Sequence, residues 1–306
     1  MEFAAAICII VAGILWGTMG IFVRTLGAWG FSTIQITAFR IILGALMYFI
    51  FLAVTDRSKI KIKWRDIPLF IGLGIGSIFL MSVSYFSTIQ LTSLSVAAIL
   101  LYTAPVFVMI MSVLFLKEKM FGRKVLALMA AFAGCVCVTG IGGDVKVGIM
   151  GIATGLLSGF TYALYSILGT FALRKYHPYT VSAYAFGFAA IAELCLCNVP
   201  AMVNQVSGQA HPWQVFCVAL LMALVTAFAP YLFYTVGLKK IEAGKAAIMA
   251  TVEPLVATVL GVLVFREALN AISIIGIVLI ILAIAILNNF GRREADGKTS
   301  ETAQNM

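Results

Sequence analysis

Charge is what this chain has least of. Of its 306 residues only 11% are Asp, Glu, Lys or Arg, against 62% apolar, and the mean hydropathy is +1.08; a soluble domain carries about 25% charged residues. That shortage excludes a water-soluble globular domain, because too few polar groups exist to cover its surface. Histidine is scarcer still. His177 and His211 fall in separate loops, so neither a paired-histidine metal site nor a Ser-His relay has a frame. No phosphate-cradling loop of the form Gly-x4-Gly-Lys-Ser/Thr occurs: at Gly244 and Lys245 the position five residues earlier is Lys239, and Ala246 follows. The chain alone therefore hydrolyses no nucleotide, no cofactor or metal is expected, and a membrane-embedded enzyme or receptor becomes the weaker reading. Met1 and Glu2 lead straight into an apolar run without a basic stretch or a small-residue cleavage site, so an uncleaved first helix is expected. The six cysteines, Cys8, Cys135, Cys137, Cys195, Cys197 and Cys217, all fall in apolar runs and read as small core residues.

What is abundant is apolar sequence in long runs. Crossing a hydrocarbon core takes about 20 residues per helix, and ten runs qualify, near 4–24, 33–54, 67–87, 95–116, 122–141, 148–172, 179–200, 213–235, 244–265 and 271–288. Runs of that length favour helices, since a backbone facing lipid must satisfy its own hydrogen bonds. The tail, 291–306, is polar and charged and is expected to be disordered.

Basic residues order these spans in the membrane. With a cytoplasmic N-terminus, 17 of the 21 Lys and Arg fall in inside segments, from the group Arg57, Lys59, Lys61, Lys63 and Arg65 to the terminal Arg292, Arg293 and Lys298; Arg24, Lys146 and Arg266 remain outside. The positive-inside rule then puts both termini in the cytoplasm. The net charge of +9 is accounted for by this bias, so nucleic acid is not an expected partner.

The chain also repeats itself. Sliding it by 149 positions pairs Tyr85 with Tyr234, Ala97 to Ile99 with Ala246 to Ile248, Pro105 with Pro254, Val113 and Leu114 with Val262 and Leu263, and Glu118 with Glu267. Five spans per copy is an odd number, so the second copy enters the membrane from the opposite side. The expected fold is all-α, with ten transmembrane helices as two inverted five-helix repeats, 1–144 and 145–290. Interrupted helices at matching places in two halves point to a transporter's binding site. Pro105 and Pro254 each lack an N–H and clash with the carbonyl four residues earlier, so they are expected to kink their helices and free the carbonyls of Leu101 and Ala250.

Few polar residues remain at depth. Glu253 lies about 14 Å into the ninth span at helical rise, where an ionised acid costs about 2.5–3.5 kcal/mol unless it protonates, pairs or faces water. It is the candidate for substrate contact and proton coupling. Arg40 and Glu193 lie roughly 10–12 Å from the outer ends of their spans. They can pair or snorkel; alternatively Arg40 grips a substrate carboxylate or pairs with Glu253. The first-half position matching Glu253 is Ala104, and Ala185 approximately matches Arg40, so charge sits asymmetrically on a symmetric frame. Trp16, Tyr102 and Tyr162 are deep enough to line a cavity, whereas Tyr85 and Tyr234 fall near span ends, where interfacial belts form. Gly13 and Gly17, and Gly151, Gly155 and Gly159, have the four-residue spacing of close helix contacts.

Leu15-Trp16-Gly17 in the first span, the stretch Ala97 to Glu118 around its proline, and the stretch from Ala246 through Glu253, Pro254 and Gly261 to Glu267 together resemble the paired modules of EamA-type carriers of the drug/metabolite transporter superfamily. The resemblance covers nearly all of 4–288. It implies ten helices with both ends in the cytoplasm, a cavity between the halves, and export of amino acids or other small metabolites; Glu118 and Glu267 match the acids that close the fourth and ninth spans. The resulting expectation is a secondary transporter of the cell membrane, working by alternating access with a lipid bilayer, a small-molecule substrate and protons as its partners. An uncoupled facilitator or uptake carrier is the alternative. A channel is disfavoured because intramembrane charges are too sparse for a polar pore. Substrate, direction, coupling ion and oligomeric state stay open.

Overall fold

The structure is a computed structural model that describes residues 2–139, 148–266 and 271–304, the side chains of 94, 95 and 288–304 excepted. Glu267 and the boundary between the halves at 144 and 145 lie outside the described residues. Among the described residues the fold is all-α. Nine helices are long and apolar enough to cross a membrane: α1 (Glu2–Ala28), α2 (Thr33–Thr55), α3 (Trp64–Leu91), α4 (Val96–Leu116), α5 (Gly122–Thr139), α6 (Ile149–Leu173), α7 (Pro178–Leu196), α8 (Pro212–Leu238) and α9 (Ala243–Phe265). A further helix, α10 (Ala271–Gln304), opens with the shorter apolar stretch Ala271–Leu287. Its helical backbone runs to Gln304, within the stretch 291–306 expected to be a polar tail.

Lipid is the only solvent that suits the outer surface. Ile50, Leu114 and Leu263 are 62%, 67% and 72% exposed, and apolar surface left in water costs about 25 cal/mol per Å². Inside, α1 packs on α8 and α9, while α6 packs on α3 and α4. Likewise α2 meets α7 and α8, α7 meets α2 and α3, and α5 lies along α10. Exchanging each helix for the one five places away leaves this pattern of neighbours unchanged. At the contact of α5 with α10, a Cβ on Gly134 would meet the carbonyl of Gly276 at 2.9 Å, so the two backbones touch where side chains are absent.

Local sequence explains the ends and the irregularities. Ser32 and Gln35 cap each other's backbone N–H at the start of α2, and Gln35 Nε2 donates to Gln205 Oε1 at 2.9 Å, tying α2 to the short surface helix Val199–Ser207. The α3 and α8 helices each contain a widened π-type stretch, Gly72–Phe79 and Leu224–Phe228. In α8 the cause is Pro230, whose ring needs the preceding turn to open. Both α4 and α9 are broken at mid-length: α4 between the helical pieces Leu94–Leu101 and Ala104–Met111, α9 between Ala243–Met249 and Val252–Phe265, with a proline at the start of each second piece.

Candidate functional site

Glycines bring α1 and α6 against those two breaks. A Cβ on Gly17 would meet the Glu253 carbonyl at 2.8 Å and Val256 Cβ at 2.7 Å, and one on Gly13 the Ala250 carbonyl at 3.0 Å. On α6, a Cβ on Gly159 would meet Thr103 Oγ1 at 2.5 Å and the Leu100 carbonyl at 2.9 Å. Each helix then carries an aromatic residue three positions after its glycine, on the same face. These are Trp16 and Tyr162, which meet edge-on with ring centroids 6.4 Å apart.

Around that pair lie two voids that adjoin at Tyr162. The first lies between Trp16, Tyr162, Tyr165, Tyr231 and Tyr234, with Ser77 and Met81 from the widened part of α3 and just beyond it. The second lies between the broken helices and is lined by Leu101, Tyr102 and Pro105 of α4 and by Ala250, Thr251 and Glu253 of α9. Both are narrow, with little clear space larger than a water molecule.

The polar groups of this region divide into satisfied and unsatisfied. Tyr165 shares its hydroxyl with Thr235 Oγ1 at 2.9 Å, Tyr234 pairs with Ser166 Oγ at 2.7 Å, and Tyr48 donates to the Phe228 carbonyl at 2.6 Å. Those bonds lock α6, α7 and α8 into a rigid wall, with Ser182 of α7 also bonding Thr235 at 3.1 Å. Trp16 Nε1, Arg40 Nε and Glu193 Oε2 are buried without a hydrogen-bond partner. Glu253 stands in the first turn of its helical piece, where the helix dipole favours a carboxylate, and its side chain lines the second void.

Of the residues singled out from sequence, Trp16, Tyr102, Pro105, Tyr162 and Glu253 line one void or both, while Arg40 and Pro254 do not. Arg40 stands one ring away, its guanidinium carbon 6.0 Å from the centre of Tyr231. Among the described residues no ion pair joins Arg40 to Glu193 or Glu253, although it lies within electrostatic range of both. Two expectations change. Tyr234 is 2% exposed and belongs to the chamber, because the widened turn in α8 swings it inward. The Ala250 carbonyl is not free: it accepts the Glu253 N–H at 3.0 Å, since the chain tightens by one residue at the break. Tyr165, Ser166 and Ser77 line or adjoin the first void without a motif that marks them; the hydroxyls of Ser166, Ser182 and Thr235, grouped around the tyrosines in apolar spans, are their sequence signal.

The model of the EamA-like transporter family matches residues 3–140 and again 149–289. An uncharacterized transporter of Archaeoglobus fulgidus is 30% identical over 278 residues, covering 91% of this chain and 94% of the relative. YwfM of Bacillus subtilis, an uncharacterized transporter, is 24% identical with 96% of each chain covered. The threonine/homoserine exporter RhtA of Salmonella typhimurium is 26% identical over 249 residues, 81% of this chain and 79% of that protein. A crystal structure at 19% identity superposes with a TM-score of 0.81, covering 96% of this chain and 99% of the other, which speaks for the fold alone.

Proposed function

The chain belongs to the EamA-like transporter family, and from that premise we propose that it is a secondary carrier of small metabolites that alternates access to the chamber around Trp16 and Tyr162. The observation that carries this reading is the chamber itself: polar and aromatic side chains from both halves converge between two broken helices, and the void is closed nearly to van der Waals contact. So narrow a chamber supports a cycle that includes a closed state. The unchanged pattern of neighbours on exchanging helices five places apart supports two five-helix repeats; with ten spans of odd-numbered halves and the basic residues arranged as they are, the repeats are inverted and both termini cytoplasmic. Trp16, Tyr102, Tyr162 and Glu253 line the substrate site in this reading, and Arg40, behind the Tyr231 ring, completes it. Amino acids or related compounds are its candidate substrates, and the exporter named among the relatives supports outward movement.

Glu253 is the proton-coupling residue in this reading. Its carboxylate lines a narrow void in the middle of the apolar bundle, where a bare charge is expensive, so in this reading it takes up a proton in one state and releases it when the chamber opens to the other side. Substrate uptake into proteoliposomes, with and without an imposed pH gradient, tests the carrier; an uncoupled facilitator equilibrates its substrate and never concentrates it. Glu253→Gln is expected to retain counterflow and to lose proton-driven accumulation. Proton movement that keeps step with substrate in that variant would remove Glu253 from the coupling role.

A further inference from the structure

Arg40 is 5% exposed, and no acidic side chain among the described residues reaches ion-pair distance of it. Its Nε lacks an acceptor, and its guanidinium rests near the Tyr231 ring, 6.0 Å from the centroid. A π face stabilises a cation only partly. Glu193, the nearby buried acid on α7, lies within electrostatic range of Arg40 but makes no ion-pair contact with it, and its own Oε2 is without a partner. Among the rings packed on Tyr231, Trp16 of α1 is 6% exposed with its centroid 5.1 Å away, and its Nε1 is also without an acceptor. Two buried N–H groups from different helices, Arg40 Nε and Trp16 Nε1, therefore converge on one tyrosine without an acceptor, and the Tyr231 hydroxyl is the oxygen in reach of the guanidinium. Buried donors in native proteins are nearly always paired, and an exception calls for a missing partner.

We propose that this end of the chamber is an oxyanion subsite, in which Arg40 holds a carboxylate of the substrate and Trp16 Nε1 donates to a second oxygen of the same molecule. The substrates are then small organic acids or zwitterions, and simple amines and neutral alcohols of the same size are excluded. This deepens the carrier reading and rests on its chamber. The acid at the opposite void, Glu253, leaves room for an ammonium group on the substrate, so zwitterions and plain carboxylates are both admitted.

The test uses the full chain in lipid nanodiscs and probes that share a body but differ in charge. One set is 3-phenylpropanoate, L-phenylalanine, 2-phenylethylamine and 3-phenylpropan-1-ol; the other is butyrate, L-2-aminobutyrate, butylamine and 1-butanol. Binding is read as a rise in melting temperature and as a change in Trp16 fluorescence after Trp29, Trp64 and Trp213 are replaced by Phe. Members bearing a carboxylate are expected to bind, with affinity reduced by about tenfold or more in Arg40→Gln and partly kept in Arg40→Lys. The proposal is overturned if amines or alcohols bind as tightly, if a folded Arg40→Gln keeps full affinity for carboxylates, or if no member of either set binds the unaltered protein. Should Arg40→Gln fail to fold, the charge series on the unaltered protein and Arg40→Lys decides. Reconstituted flux separates the two readings: carboxylates that bind but never cross leave the subsite and remove the carrier, whereas flux blind to charge removes the subsite and leaves the carrier.

Discussion

The carboxylate of Glu118, at the end of α4, accepts hydrogen bonds from the backbone N–H of Ala243 at 2.7 Å and of Gly244 at 3.3 Å, at the start of α9. One half of the chain thereby caps a helix of the other. Lys117 makes this possible: its left-handed backbone, φ 58°, ends α4 abruptly and turns the next residue toward α9. Replacing Glu118 by Ala leaves those N–H groups uncapped, at a cost of about 1–2 kcal/mol. The expected outcome is a lower melting temperature and faster labelling of a cysteine placed at Thr251. Unchanged labelling would mean that this contact does not hold the chamber shut.

Beside that cap, Lys124 is 2% exposed and meets Glu242 Oε2 at 2.6 Å. Glu242→Gln strands a buried ammonium with the Lys119 carbonyl, 2.9 Å away, as its acceptor. Because Glu242 is 41% exposed and reached by water, the expected loss is modest, about 1 kcal/mol, and the double variant with Lys124→Met should recover it. A melting series of the two single variants and the double variant measures the coupling.

Gly159 admits no side chain. A Cβ there would press on Thr103 Oγ1 at 2.5 Å and on a backbone carbonyl at 2.9 Å, and backbone does not yield as a flexible side chain does. Gly159→Ala is expected to destabilise by about 1–3 kcal/mol, while Gly76→Ala, with nothing within 4 Å, serves as the near-neutral control in the same thermal assay.

Tyr162 lines both voids and stands as the partition between them. Tyr162→Ala should join them and extend the range of transported or bound molecules to longer ones, whereas Tyr162→Phe, which keeps the ring, should not. Competition by a size-graded series distinguishes the two; an identical cutoff in both variants would assign the limit to another residue.

His177 precedes α7 and accepts the Tyr179 N–H on its Nδ1, at 3.4 Å, which only the neutral ring can do. Burial, and then Lys59 and Lys239, hold its pKa below the usual 6.5. A lowered folded value means the stabilisation is complete above pH 6.5 and is lost as pH falls through the lowered value. His177→Asn, a non-titrating cap, is expected to melt at a temperature that changes less between pH 7 and pH 5 than that of the unaltered protein, measured at matched ionic strength.

Apolar run length made the helices legible, since a span must be apolar over its whole length: 244–265 expected against Ala243–Phe265 found and 33–54 against Thr33–Thr55, while the ends of 4–24 and 179–200 fall up to four residues from those of Glu2–Ala28 and Pro178–Leu196. Pro105 and Pro254 marked the breaks for the same local reason. What the sequence did not reveal depends on contacts between distant segments. Whether Arg40 meets an acid is decided by how α2 lies relative to α7 and α9, and no period encodes that angle. Tyr234 reads as a candidate for an interfacial belt because its depth was counted along an ideal helix, and the widened turn upstream rotates everything after it.

The glycine contacts bear on how the chamber parts. Gly13 and Gly17 seat α1 on the backbone of α9, and Gly155 and Gly159 seat α6 on α4, so each couple shares a seam with no cushion of side chains to slide on. Such couples are expected to travel as single beams. Each beam joins a helix from the front of the chain to one from the back, and the line along which the molecule swings apart therefore cuts across the duplicated units instead of running between them.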